Sequence, residues 1–172
     1  IALTAGLGRE RALALIPLSH MYGQIVPLLH GLITGSQVTF LPALTPGALF
    51  AALRRDRITV ITAVPQVLQV LMAGVEGEAA RAGRLDRLQR ARRIALRLPM
   101  RPRRLLFREA TARFGGDLET ITCGGARLPA ELQLAWEALG IRVIQGYGAT
   151  ECATIAGHTR ASRRPGTVGP PL

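Results

Sequence analysis

The sequence predicts an α/β fold: a mostly parallel sheet of five or more strands flanked by helices. Three observations carry that prediction. Short apolar, β-rich runs take turns with helix-length segments along most of the chain, the pattern of strand–helix–strand crossovers. The 172 residues, 48% of them hydrophobic with a mean hydropathy of +0.24, can bury a sizeable core. From Ala12 to Leu53 there is no Lys, Arg, Asp or Glu. Prolines and glycines from Pro17 to Gly47 cut that stretch into pieces too short to span a bilayer, so it reads as a buried strand–helix–strand unit.

Each element has a local reason. Ala12–Pro17 is an apolar run ending at a proline, consistent with a buried strand. Tyr22–Ile33 reads as a helix with Gly35 as its stop. Gln37–Leu41 is β-rich and ends at Pro42. Thr45 is placed to cap a helix over Pro46–Arg55, with Pro46 at the favoured first position. Arg57–Thr62 is the third strand and Pro65–Gly74 a short helix. Leu118–Cys123 is the fourth strand. Pro129–Leu139 is a helix with Gly140 just past its end, and Ile141–Gln145 is the fifth strand.

From about 77 to 114 the pattern changes to an Arg-rich helical insertion. Leu85, Leu88, Ala91, Ala95 and Leu98 recur at helical spacing, with Arg84, Arg87, Arg90 and Arg97 on other faces. Pro99 and Pro102 interrupt before Leu105, Leu106, Phe107, Ala110 and Phe114 suggest another helix. The plain reading is a solvated helix face. The sharper one is contact with an anionic membrane through Arg84–Arg108. Nucleic acid is not expected, because aromatics make up only 4% of the chain and no recognition motif accompanies the charge.

Composition removes several chemistries. All 22 basic residues are Arg, against 11 acidic residues, for a formal charge of +11. Without lysine there is no Schiff-base chemistry, lysine base or P-loop lysine within these residues. Cys123 and Cys152 form no CxxC pair, which fits reduced cysteines in the cytoplasm. His20, His30 and His158 share no metal-ligand spacing, which argues against a zinc site.

Two glycine-rich segments sit where a parallel sheet presents ligands, at the carboxyl ends of strands. Thr122–Pro129 (TCGGARLP) links a strand to a helix; its glycines let backbone approach a flat ligand and the helix start offers free amides. Gln145–Glu151 (QGYGATE) follows the next strand. Gly146 and Gly148 flank an aromatic able to stack on a base. Thr150 supplies a hydroxyl for a phosphate oxygen, and Glu151 a carboxylate for Mg²⁺, which favours one or two carboxylates plus substrate phosphates.

Together these segments resemble the adenylate-forming, AMP-binding superfamily of acyl-CoA synthetases, peptide-synthetase adenylation domains and luciferases. YGATE resembles its Y-G-x-T-E motif and CGGARLP its G-G-A-x-L adenine-binding turn. Upstream, Pro17–Gly23 (PLSHMYG) resembles the P-L-x-H-x-x-G motif beside the acyl pocket. Downstream, Gly166–Pro171 (GTVGPP) resembles the G-x-V-G-x-P turn. The phrase VITAVPQVL and the Arg-rich insertion look most like long-chain fatty acid CoA ligases.

The resemblance implies ATP or AMP, Mg²⁺ and CoA as co-substrate, with a fatty acid or other carboxylic acid as the acyl donor. It implies that Tyr147 stacks on adenine in a slot lined by Gly124, Gly125, Ala126 and Arg127. Gln145, Gly146, Gly148 and Ala149 continue the binding wall, and the two flanking glycines leave room for the substrate carboxylate. Thr150 would hold the α-phosphate, Glu151 the Mg²⁺, and His20 would lie where acyl tunnel and thiol channel meet. Cys123 stands where the family often has Ser or Thr. The family's phosphate loop and adenylation lysine match nothing within Ile1–Leu172. The chain is therefore expected to be a partial AMP-binding domain, one subdomain of the large N-terminal domain, and to be inactive alone. The alternatives are a non-catalytic nucleotide- or acyl-binding module, or an adenylation domain for an aryl or amino acid.

Overall fold

The computed structural model describes residues 10–160 and 162–171. Strands β1 (Arg11–Ala14), β2 (Gln37–Phe40), β3 (Val60–Ala63), β4 (Thr120–Cys123), β5 (Arg142–Ala149) and β6 (Ala153–Gly157) form one sheet in the order β2-β1-β3-β4-β5-β6. The first five are parallel to their neighbours, and β6 is antiparallel to β5. The predicted mostly parallel α/β sheet is the observed one, with one added antiparallel strand. Register divides β5 in two. Arg142 to Gln145 pair with Thr120 to Cys123 of β4, whereas Gly146 to Ala149 pair only with β6.

The two sheet faces follow from the alternation of side chains along each strand. Leu13, Ile61, Ala63, Ile121, Cys123 and Val143 point into the main core. There they meet α3 (Pro46–Arg55), α4 (Pro65–Arg81), α5 (Leu85–Ala95) and α8 (Ala130–Ala138) through Leu53, Leu68, Ala95 and Trp136, all buried. Phe50, Phe114 and Trp136 form an aromatic chain with centroid separations of 6.0 and 5.3 Å, and the Trp136 indole donates to the Leu68 carbonyl at 3.3 Å. Each fully buried large side chain of this kind contributes roughly 1.5–3 kcal/mol. On the opposite face Ala12, Val60, Thr62 and Thr122 lie under Val26 and Pro27, with only about 20 Å³ of space between them.

That covering helix departs from the predicted one. An α-turn, α1 (Met21–Gly23), runs into a π-helical stretch (Gln24–Leu29) and returns to α geometry in α2 (His30–Thr34). Pro27 sits inside the π stretch, and the His30 N–H reaches the Ile25 carbonyl, five residues back. The wider turn accommodates a residue that has no N–H and would clash in a regular helix. Gly35 ends the helix in the left-handed conformation, as its position predicts. The Thr45 cap also forms, its hydroxyl accepting from Ala48 N at 3.2 Å.

Three further expectations are revised. The helix expected to stop at Gly74 continues to Arg81, because Leu71, Met72 and Val75 carry its buried stripe past the glycine. The helix expected around Leu105–Phe114 is two short ones, α6 (Met100–Leu106) and α7 (Arg108–Ala112); Phe107 and Phe114 are buried, but Leu105 and Leu106 face outward. The fifth strand runs on to Ala149 instead of stopping at Gln145, and β6 follows it unpredicted.

Candidate functional site

A cavity of about 380 Å³ opens at the carboxyl ends of β3, β4 and β5. Four stretches of chain wall it: the loop and helix start with Ile16, His20, Met21, Tyr22, Ile25 and Val26; Val64 after β3; Gly124 and Gly125 after β4; and Gly146 to Thr150 of β5 and its turn. Ala153 and Thr154 of β6 complete the wall.

Of the residues singled out from sequence, His20, Gly124, Gly125, Gly146, Tyr147, Gly148, Ala149 and Thr150 meet in this one cavity. Ala126, Arg127, Gln145 and Glu151 do not line it. Ala126 and Arg127 are exposed on the stretch leading into α8. Gln145 is buried in the sheet at 3% exposure, its carbonyl accepting from His158 N at 2.8 Å. Glu151 lies exposed on the turn after Thr150, next in sequence to the cavity lining. The downstream GTVGPP turn lies along β6: Gly157 N donates to the Pro170 carbonyl, and Ala156 bridges to Pro171.

The site is built largely from backbone. Gly124 leaves space for the Tyr22 ring, since a Cβ there would lie 3.2 Å from that ring. Gly148 lines the cavity and has a structural cause as well: a Cβ at this position would lie 1.8 Å from the Ala153 carbonyl oxygen, so the glycine admits the β6 backbone. It coincides with a register shift between Tyr147 and Gly148. Ala153 itself adopts φ +57°, which turns the chain sharply back into β6.

The side chains that remain free are those a ligand could use. The Tyr147 ring is 52% exposed and lines the cavity. Thr150 and Glu151 have no side-chain hydrogen bond or ion pair among the described residues. His20 starts α1 without capping it through its side chain. Tyr22, which sequence reasoning passed over although it lies within PLSHMYG, walls the cavity with its ring. Its hydroxyl is buried with no hydrogen-bond partner among the described residues, and burial, then the neighbouring Cys123, holds its pKa far above the ordinary phenol range. The Thr122 hydroxyl beside it donates to Thr62 and Ile61 instead. Cys123 is a core thiol, pushed up to about 12 by burial and therefore neutral and unreactive.

No group of three or more His, Cys, Asp or Glu side chains among the described residues could cage a metal ion. A single unpaired carboxylate beside a hydroxyl suits a cation that arrives with phosphates, as Mg²⁺ does, and no structural zinc.

A family model described as AMP-binding enzyme matches residues 2–172. The chain belongs to the AMP-binding enzyme family. Within it, feruloyl-CoA synthases from Amycolatopsis sp and Streptomyces sp are each 28% identical over 165 residues, covering 94% of this chain and 27% of theirs. The chain thus spans about a quarter of the length of these curated relatives. Solved structures share the fold. An anthranilate CoA ligase in complex with anthranoyl-AMP aligns with a TM-score of 0.64 and 24% identity, over 96% of this chain and 27% of its own. MatB from Rhodopseudomonas palustris, ATP-bound, gives 0.66 and 23%, over 99% and 28%. MenE from Bacillus subtilis, in complex with ATP and magnesium, gives 0.64 and 22%, over 99% and 29%.

Proposed function

We propose that this AMP-binding chain supplies the nucleotide and acid half-site of an AMP-forming acid–CoA ligase. The observation that carries the reading is the convergence of the glycine turn, Tyr147, Thr150 and His20 on one cavity from separate parts of the chain. Tyr147 stacks on adenine, with backbone at Gly124 and Gly125 opposite it and Ala126 and Arg127 at its edge. The Thr150 hydroxyl donates to an α-phosphate oxygen. Glu151 would hold Mg²⁺, which would supply positive charge beside the phosphates. His20 and Tyr22 border the acyl end.

A carboxylate is a poor electrophile. Its oxygen attacks the α-phosphorus of ATP and pyrophosphate departs, giving a mixed anhydride. The CoA thiolate then attacks the acyl carbon and AMP leaves, forming the thioester. The chain's own contribution is orientation: free backbone at the glycine turn, one hydroxyl and one carboxylate, fixed by the β5–β6 pair.

The acid is a compact aryl acid rather than the long-chain fatty acid that VITAVPQVL suggested. The cavity is modest, the Tyr22 ring walls it, and the 28% identical relatives are feruloyl-CoA synthases. The test uses the full-length protein. Acid-dependent ATP–pyrophosphate exchange falls about a hundredfold in Thr150→Ala and Glu151→Gln, with unchanged melting. Exchange at the unsubstituted rate in both variants defeats the half-site. Exchange driven by palmitate and not by ferulate returns the substrate to the long-chain class and leaves the half-site standing.

A further inference from the structure

The helical crossover between β3 and β4 sorts its arginines into two groups. Arg92 is buried, donating to Glu76 at 2.6 Å and to the Met72 sulfur. Arg103 donates to the carbonyls of Leu96, Leu98 and Glu137, tying the end of α5 to α6 and α8. Arg104 pairs with Glu119 and donates to the Gly116 carbonyl. These hold the fold. Arg84, Arg87, Arg90, Arg93, Arg97 and Arg101, with Arg108 beyond them, are exposed and make no side-chain hydrogen bond or ion pair among the described residues. Asp86 is the one acid in the same span, 84–108.

The free arginines are interleaved with aliphatic side chains that the core does not take. Ile94 is 61% exposed, Leu105 76% and Leu106 56%. On α5, Arg90 and Ile94 lie one turn apart on the side away from the buried Arg92 and Ala95, and Arg97 continues that stripe. Leu106 shares a groove with Arg84 and Arg87, and with Glu109 and the Arg113-paired Glu78. Leu32 and Val70 are as exposed elsewhere on the fold; what distinguishes this face is that its aliphatic side chains stand among unpaired arginines. Nucleic acid would call for stacking rings, and the exposed apolar residues here are all aliphatic. Guanidinium groups around aliphatic side chains match an interface with anionic headgroups above acyl chains.

We infer that α5 and α6 form a peripheral docking surface for an anionic lipid bilayer, with Arg90, Arg93 and Arg97 as headgroup contacts and Ile94, Leu105 and Leu106 as shallow anchors. No helix among the described residues is long and apolar enough to cross a membrane. The inference is independent of the nucleotide site.

Co-sedimentation of the full-length protein with phosphatidylcholine vesicles, with and without phosphatidylserine, tests it. Binding requires phosphatidylserine and weakens as salt rises. Each basic side chain near such a surface is worth about fivefold in partitioning, so Arg90→Gln/Arg93→Gln/Arg97→Gln loses about a hundredfold. Leu105→Gln/Leu106→Gln loses roughly tenfold. Both variants melt as the unsubstituted protein does. The inference fails if neutral vesicles bind equally, if the triple variant binds undiminished or melts much lower, or if single-stranded RNA competes all binding away.

Discussion

Around the cavity the chain relies on what its residues lack; along the crossover helices it relies on what they carry. Gly124 and Gly148 bring backbone against a ring and against a neighbouring strand, and among the described residues no ion pair involves a side chain of the cavity wall. In α5 to α7, by contrast, Arg92, Arg103 and Arg113 thread guanidinium groups onto carbonyls, carboxylates and rings; Arg113 lies 5.0 Å from the Phe50 centroid and pairs with Glu78. A site made of backbone fails when an atom is added. A surface made of long side chains fails only where a particular arginine is pinned, and tolerates change elsewhere.

That contrast orders the expected effects of substitution. Gly148→Ala is the most severe, since its methyl must displace the Ala153 carbonyl. Denaturant unfolding should show a loss of about 3 kcal/mol, and a loss under about 1 would mean that the β6 backbone is not held where it is. Arg92→Ala comes next at about 2 kcal/mol, from lost packing of the buried stem and its bonds. An unchanged midpoint would move Arg92 into the dispensable group.

A smaller effect comes from His158, buried with its Nδ1 unpartnered among the described residues and Nε2 3.1 Å from Thr167 Oγ1. Burial lowers its pKa below the usual 6.5, so the unfolded chain takes up a proton that the folded one does not. Stability therefore declines as pH falls below about 6.5. His158→Gln should flatten that slope in melting curves recorded from about pH 7 to about pH 5. Smallest of all is Arg90→Gln, expected within about 0.5 kcal/mol of the unsubstituted protein by the same denaturation assay.

The five parallel strands were legible because each is a short apolar run closed by proline, glycine or a cap. What escaped did so for physical reasons. The π-helical turn depends on a proline whose accommodation is set by the sheet beneath it. The extension of α4 past Gly74 rests on tertiary packing that outweighs the roughly 1 kcal/mol cost of a helical glycine. Strand β6 begins at a left-handed alanine, which nothing in CATIAG announces. At the site, the motifs located the cavity. They gave no sign that Gly148 also admits a neighbouring strand, and missed Tyr22, whose place depends on how the first helix lies over the β4 turn.

The divided register of β5 gives the cavity wall a mechanical character. Up to Gln145 the strand is paired with β4 and buried in the body of the fold; from Gly146 onward it leans on β6 alone and is partly exposed, a cantilever projecting past β4. Such a ribbon opens locally at lower cost than the sheet behind it. Amide exchange should be faster at Tyr147 and Thr154 than at Val143 and Ile144. A ligand spanning Tyr147 and Gly124 would brace the free end against the body of the fold, and the gap between those rates would close.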